Sequence, residues 1–187
     1  MSCHTQAIYL AGRQYRTAQR VQYRHMLLAL SHEGKLIWQY KGALSTERIW
    51  AIIPNPEGGV FALFVQPKQD LYRFRFLSFS AKGDILWEQR FPNIVLQAHY
   101  CGPEKIPPKL WLTSKHLLCV GPFCRTDSAS AISILSLDLQ SGEEVDFYNA
   151  PRTNAQYTQS ILSSKNLLAI AWQPYGHTNP NTGILLF

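Results

Sequence analysis

With 187 residues, of which 46% are hydrophobic, 16% charged and 12% aromatic, the chain sits in the globular range; disorder is excluded, and there is length for one good-sized core or two small ones. No apolar run approaches the ~18 residues of a membrane-spanning helix, and residues 1–13 lack the charged-then-apolar layout of a secretory signal, so a soluble, cytoplasmic protein is expected. The net charge of +6 is uneven: residues 1–41 carry +5, residues 42–125 carry +4, and residues 126–187 carry −3.

In chain order, residues 7–15 read as a first strand, and Met26 to Leu30 as an apolar second one. A polar turn at Gly34 leads into a third strand that closes on Trp38. Ile49 to Ile53 and Val60 to Val65 are strand-like runs divided by the breaker-rich Pro54-Asn55-Pro56-Glu57-Gly58-Gly59. Phe74 to Phe79, a turn at Gly83 and a strand closing on Trp87 follow. Leu110-Trp111-Leu112, His116 to Val120, Ile132 to Leu137, a turn at Gly142 and a strand through Phe147 make a further group. Ser160-Ile161-Leu162, Leu167 to Trp172 and Gly183 to Phe187 open a last one. Four cysteines, Cys3, Cys101, Cys119 and Cys124, are too few for a disulfide scaffold and suit buried thiols in a reducing compartment.

These runs repeat. Tyr23-Arg24-(x3)-Leu28-(x2)-Ser31-(x2)-Gly34-(x3)-Trp38 returns without a gap, at an offset of 49, as Tyr72-Arg73-(x3)-Leu77-(x2)-Ser80-(x2)-Gly83-(x3)-Trp87. Ser136 to Phe147 is a looser third copy, with Gly142 falling 59 residues after Gly83. Four short strands per ~50 residues, joined by tight turns, point to an all-β fold of propeller-like, four-stranded antiparallel blades. The expected organisation is a single domain over 1–187, with a partial blade at 7–41, blades at 48–91 and 95–148, and a partial blade at 155–187.

The segment Ala29 to Trp38 resembles the hairpin of quinoprotein-type (pyrroloquinoline-quinone-like) propeller repeats, in which a small residue, an Asp, a Thr-Gly turn and a distal Trp recur in each blade. Asp138, Ser141 and Gly142 of the third copy are similar to that turn, with Phe147 near the place of the Trp. WD-repeat-like propellers share such motifs, so the resemblance implies a fold and little chemistry.

Labelled A to D from the centre outward, the strands begin at B and stop within C, which reads as a piece of a longer propeller. An open arc leaves apolar faces uncovered at its two ends. Three solutions exist: a small four-blade ring closed by the C-terminal strands, a homo-oligomer, or a protein partner that supplies further blades. A partner or self-association covering the open edges is the expectation.

Three kinds of site are open to residues of these types. His99, Cys101, His116, Cys119 and Cys124 have a loose metal-like spacing, but His116 and Cys119 fall on opposite faces of one strand, so no metal is assigned. No Ser/His/Asp set, carboxylate pair or glycine-rich phosphate loop is present, so neither catalysis nor a cofactor is expected. The basic residues form the third candidate: Arg13, Arg16, Arg20 and Arg24 surround the first hairpin, Lys68, Arg73 and Arg75 its equivalent, interleaved with Tyr15, Tyr23 and Tyr72. Arginine with tyrosine suits protein interfaces and acidic surfaces. Arginines on an exposed strand also serve simply to guard it against aggregation. The spacing of Arg13, Arg16, Arg20 and Arg24 also fits one helical face, but no apolar stripe lies opposite, so the hairpin reading is kept.

The functional expectation is therefore a non-catalytic interaction or scaffold module that works through propeller edges and a basic hairpin face. Two rivals stand beside it. One is a fragment of a quinoprotein-like enzyme or cofactor-binding propeller, which a bound chromophore would reveal. The other is nucleic-acid binding through the basic face, which would weaken steeply with salt.

Overall fold

A computed structural model describes residues 7–15, 23–68, 71–97, 108–126, 133–149, 155–163, 167–174 and 183–186. Within them are fifteen strands and no helix, and the strands pair in antiparallel sheets. Among the described residues no helix is long and apolar enough to cross a membrane. The chain divides into two compact units: Met1–Pro67 with Phe74–Arg90, and Lys68–Arg73 with Phe91–Phe187.

The first unit begins with β1 (Ile8–Tyr15), β2 (Tyr23–Leu30) and β3 (Leu36–Ser45), hydrogen-bonded in chain order. Next come β4 (Arg48–Pro54), β5 (Val60–Lys68), β6 (Leu71–Phe79) and β7 (Ile85–Gln97), again in order, with β6 and β7 each divided between the units. The β2–β3 and β6–β7 turns, 49 residues apart, close with the same bonds. Ser31 N donates to Lys35 O at 2.8 Å and Gly34 N to Ser31 O at 2.9 Å; Ser80 N donates to Asp84 O at 2.8 Å and Gly83 N to Ser80 O at 3.0 Å. Both glycines are left-handed, with φ of 77° at Gly34 and 90° at Gly83, which is why the repeat holds a glycine there.

The two sheets are buried differently. In β5 every residue from Val60 to Val65 is buried, as the unbroken apolar run Val-Phe-Ala-Leu-Phe-Val foreshadows for a strand covered on both faces. In β2 burial alternates: His25, Leu27 and Ala29 are buried, while Met26, Leu28 and Leu30 are not fully covered. The core of this unit joins Leu27, Ala29 and Trp38 of the first sheet to Val60, Ala62, Phe64, Leu77 and Phe79 of the second. Burying such side chains contributes roughly 1.5–3 kcal/mol each. Aromatic contacts orient the packing: Trp38 stacks on Phe79 at 5.7 Å, and Tyr40 lies 5.0 Å from the same ring.

In the second unit, β8 (Lys109–Leu112), β9 (His116–Gly121), β11 (Ser133–Asp138) and β12 (Glu144–Asn149) form a four-stranded sheet in the order β12-β11-β9-β8. The two-residue β10 (Cys124–Arg125) pairs with Ile94 and Val95 of β7. The β11–β12 turn is one residue longer than the other two, closing from Asp138 N to Glu143 O at 2.9 Å. Its Asp138 carboxylate accepts from the backbone N–H groups of Ser141 and Gln140, which hold its pKa below the usual range. A last meander joins β13 (Ala155–Ser163), β14 (Leu167–Pro174) and β15 (Gly183–Leu186).

Candidate interaction surface

The β1–β2 register decides what the first basic hairpin can present. Arg13 pairs with His25, and Gln14 pairs with Arg24. Cross-strand partners share a face and successive residues alternate, so Arg13 and Arg24 lie on opposite faces of the sheet. Both are exposed. Tyr15 and Tyr23 are paired in the same register at the end of the hairpin, and Lys68 ends β5. Arg16 and Arg20 lie outside the described residues.

In β6, Arg73 is exposed and Tyr72 is half-buried, both in the second unit. Arg75, in the first unit, has a different role. Its Nε donates to Glu47 Oε1 at 2.8 Å and its Nη2 to Glu47 Oε2 at 2.5 Å, while Nη1 lies 3.4 Å from Glu88. The guanidinium sits 4.6 Å from the centre of the Phe64 ring. A planar cation that grips one carboxylate with two bonds over an aromatic face is an anchor between elements. Burial works against its charge, but the bonds to Glu47, with a further contribution from Tyr40, hold its pKa above the ordinary arginine value.

Beside this pair lies His25, which the sequence reading did not single out. It is 1% exposed, stacked 6.0 Å from Tyr40 and edge-on to Phe64 at 4.9 Å. Its Nε2 is 3.7 Å from Glu47 Oε2, and among the described residues neither ring nitrogen has a hydrogen-bond partner. The imidazole lies so close over Gly42 that a Cβ there would fall 1.8 Å from Nε2, so only glycine leaves room for the ring. Burial lowers the His25 pKa, against the pull of Glu47 and with the help of the Arg75 charge. His25 is therefore held neutral in an aromatic cage. The one local sign of it is position: it alternates with Leu27 and Ala29 on the core face of β2.

The second unit holds a related arrangement: Arg125 bonds to Glu144 and lies 4.7 Å from the Phe147 ring. Of the loose metal-like set, His99 and Cys101 lie outside the described residues. His116 pairs with Asp138 and Cys119 with Leu135, on opposite faces of β9. Cys119 and Cys124 are buried free thiols, and burial pushes the Cys119 pKa far up. Among the described residues no three His, Cys, Asp or Glu side chains come together as metal ligands.

The structural repeat residues meet across the sheets. Trp38 Nε1 donates to Ala81 O at 3.0 Å, and its ring lies against Gly83, where a Cβ would stand 2.8 Å away. Trp38 of one copy is thus docked on the turn of the next. Trp87 is buried and stacks on Phe61 at 5.7 Å, and Phe147 lies 6.0 Å from Phe123.

No protein-family model matches this sequence, and no curated protein matches it.

Proposed function

We propose that this chain is a non-catalytic assembly module, a run of propeller-like blades that covers its open face with a protein partner. The blade reading rests on sheets formed by strands consecutive or nearly so in the chain, and on the docking of Trp38 onto the next repeat's turn. The single observation that carries the assembly reading is unequal burial: the β5 run is covered throughout, whereas the equivalent first sheet keeps Ile8, Leu10 and Leu36 exposed. Contiguous exposed apolar residues on one sheet face mark an interaction surface. The reactive side chains support a structural role for them. Cys119 is a buried neutral thiol, His25 is enclosed by rings, and Arg75 is occupied by Glu47. Free thiols at Cys119 and Cys124 fit a reducing, cytoplasmic setting.

The test is the mass of the chain isolated under native conditions from its own cells, by light scattering on a size-exclusion column. A species well above the 21.3 kDa of one chain is expected. A monodisperse single chain would overturn the reading. If the complex instead contains nucleic acid and dissociates steeply with salt, the exposed arginines are its contact.

A further inference from the structure

We infer that His25 drives a proton-dependent exchange of carboxylates inside the first unit. On taking up a proton, its imidazole draws Glu47 away from Arg75, and Arg75 turns to Glu88.

The repeat marks His25 as a departure from plain packing. Its counterpart at the offset of 49 is Phe74, which is 3% exposed. An apolar ring fills that core position in the second copy. The first copy puts a titratable ring there and leaves both its nitrogens without a hydrogen-bond partner among the described residues. A buried polar group in that state is costly. A carboxylate stands just beyond bonding distance: Nε2 is 3.7 Å from Glu47 Oε2, and that same oxygen takes Arg75 Nη2 at 2.5 Å.

The charges around the ring fall into two possible pairings. Arg75 grips Glu47 through Nε and Nη2, while its Nη1 donates to Glu88 Oε2 at 3.4 Å. Arg90, 65% exposed, bonds the other oxygen of Glu88. With His25 neutral, Arg75 therefore stands alone between two carboxylates. A proton on His25 supplies a second cation, and each carboxylate then takes one. Tyr40 stacks on His25 and contributes to holding Arg75 charged, and Phe64 of β5 brings no charge. Arg13, across from His25 on β1, and Lys41 on β3 are exposed.

The geometry decides which group moves. His25 is fixed, since a Cβ on Gly42 would fall 1.8 Å from its Nε2 and Phe64 stands edge-on at 4.9 Å. Glu47 sits in the connection between β3 and β4, next to the exposed Thr46. A shift of about 1 Å brings its Oε2 into hydrogen-bonding range of Nε2. The imidazolium carries N–H on both nitrogens, so Nε2 donates to Oε2 in place of Arg75 Nη2, and the arginine closes on Glu88. Burial opposes the charged ring most, and the Arg75 charge adds to that, while the carboxylate and backbone of Glu47 favour it. The exchange thus belongs to acid conditions, below the ordinary histidine value near 6.5. His25 lies in the first sheet and Arg75 in the second, so acid moves the hold on the β3–β4 connection from one sheet to the other.

The experiment follows the full-length, isotope-labelled chain by NMR from about pH 7.5 to about pH 4.5, on both sides of the ordinary histidine value. It reads the His25 ring nitrogens, and the protection of Arg75 Nε–H against solvent exchange relative to free arginine at each pH. Protection is expected to fall about tenfold or more, with the midpoint of the His25 titration. In His25→Leu it stays level over the whole range, which separates the exchange from protonation of Glu47 itself. In Glu88→Gln, at a side chain 34% exposed, the shared midpoint moves down by about half a pH unit or more. A ring that titrates while Arg75 keeps its protection overturns the exchange. So does an equal loss of protection in His25→Leu, an unmoved midpoint in Glu88→Gln, or unfolding of the wild-type chain before His25 takes up a proton. The wild-type titration alone can decide against it, whether or not either variant folds.

Discussion

The indole of Trp38 lies against the backbone of Gly83, so near that a Cβ on that glycine would stand 2.8 Å from the ring. Two members of the sequence repeat, one from each copy, thereby form a single contact: the aromatic that ends one hairpin rests on the glycine that turns the next. The glycine serves twice, through its φ of 90° and through the space it leaves.

Comparison of the two turn glycines separates those roles. Gly34→Ala carries only the cost of a left-handed alanine, about 1–2 kcal/mol, since the space around it is open. Gly83→Ala carries the same cost and also displaces the Trp38 ring, for roughly 1–3 kcal/mol more. Urea denaturation of both variants checks this, and equal losses would mean that Trp38 moves away freely.

Acid should weaken the first unit through His25. Its pKa in the fold lies below the unfolded value near 6.5, so unfolding takes up a proton as pH falls through that value. The stabilisation is present above about pH 6.5 and is lost at lower pH, with a slope of up to about 1.4 kcal/mol per pH unit. Glu47, Arg75 and Tyr40 are the ionisable neighbours. His25→Leu should flatten the stability profile between pH 5 and 7, read by denaturant midpoints; an unchanged slope would place the titration elsewhere.

Removing one member of the Arg75–Glu47 pair should cost more than removing both. Both side chains are 12% exposed, so Glu47→Leu leaves a cation largely out of water, at a cost of roughly 3 kcal/mol. Arg75→Met with Glu47→Leu should recover at least half of that. A double-mutant cycle by chemical denaturation measures the coupling, and additive losses would show the two groups to be independent.

Thiol labelling should distinguish Cys119 from ordinary cysteines. Burial suppresses its thiolate, so a maleimide should react with it only at the rate of unfolding and reach completion in denaturant. Peptide mapping by mass spectrometry resolves it from Cys3, Cys101 and Cys124. Rapid native labelling at Cys119 would mean that β9 opens locally.

Much of the strand order was legible because the signals are local. Gly34, Gly83 and Gly142 mark positive-φ turns, and the apolar runs of β2 and β5 mark strands, although the two runs look alike and only β5 is buried throughout Val60 to Val65. The candidate site was less so. Arg73 and Arg75 look alike in sequence, yet one is exposed while the other is held by Glu47, 28 residues away. Arg13 and Arg24 look like neighbours on a hairpin, yet the register sends them to opposite faces.

The sequence by itself determined the hairpins, their turns and the 49-residue repeat, because strand period and glycine φ depend on residues a few positions apart. Only the tertiary structure decided that His25 is caged, that Arg75 is an anchor, and that Leu77 and Phe79 are fully buried while Leu28 and Leu30, their counterparts in the first copy, are half-buried. Those outcomes depend on which sheet packs against which face. Partners distant in the chain set that packing, and two nearly identical segments give the same local pattern whether or not their outer faces are covered.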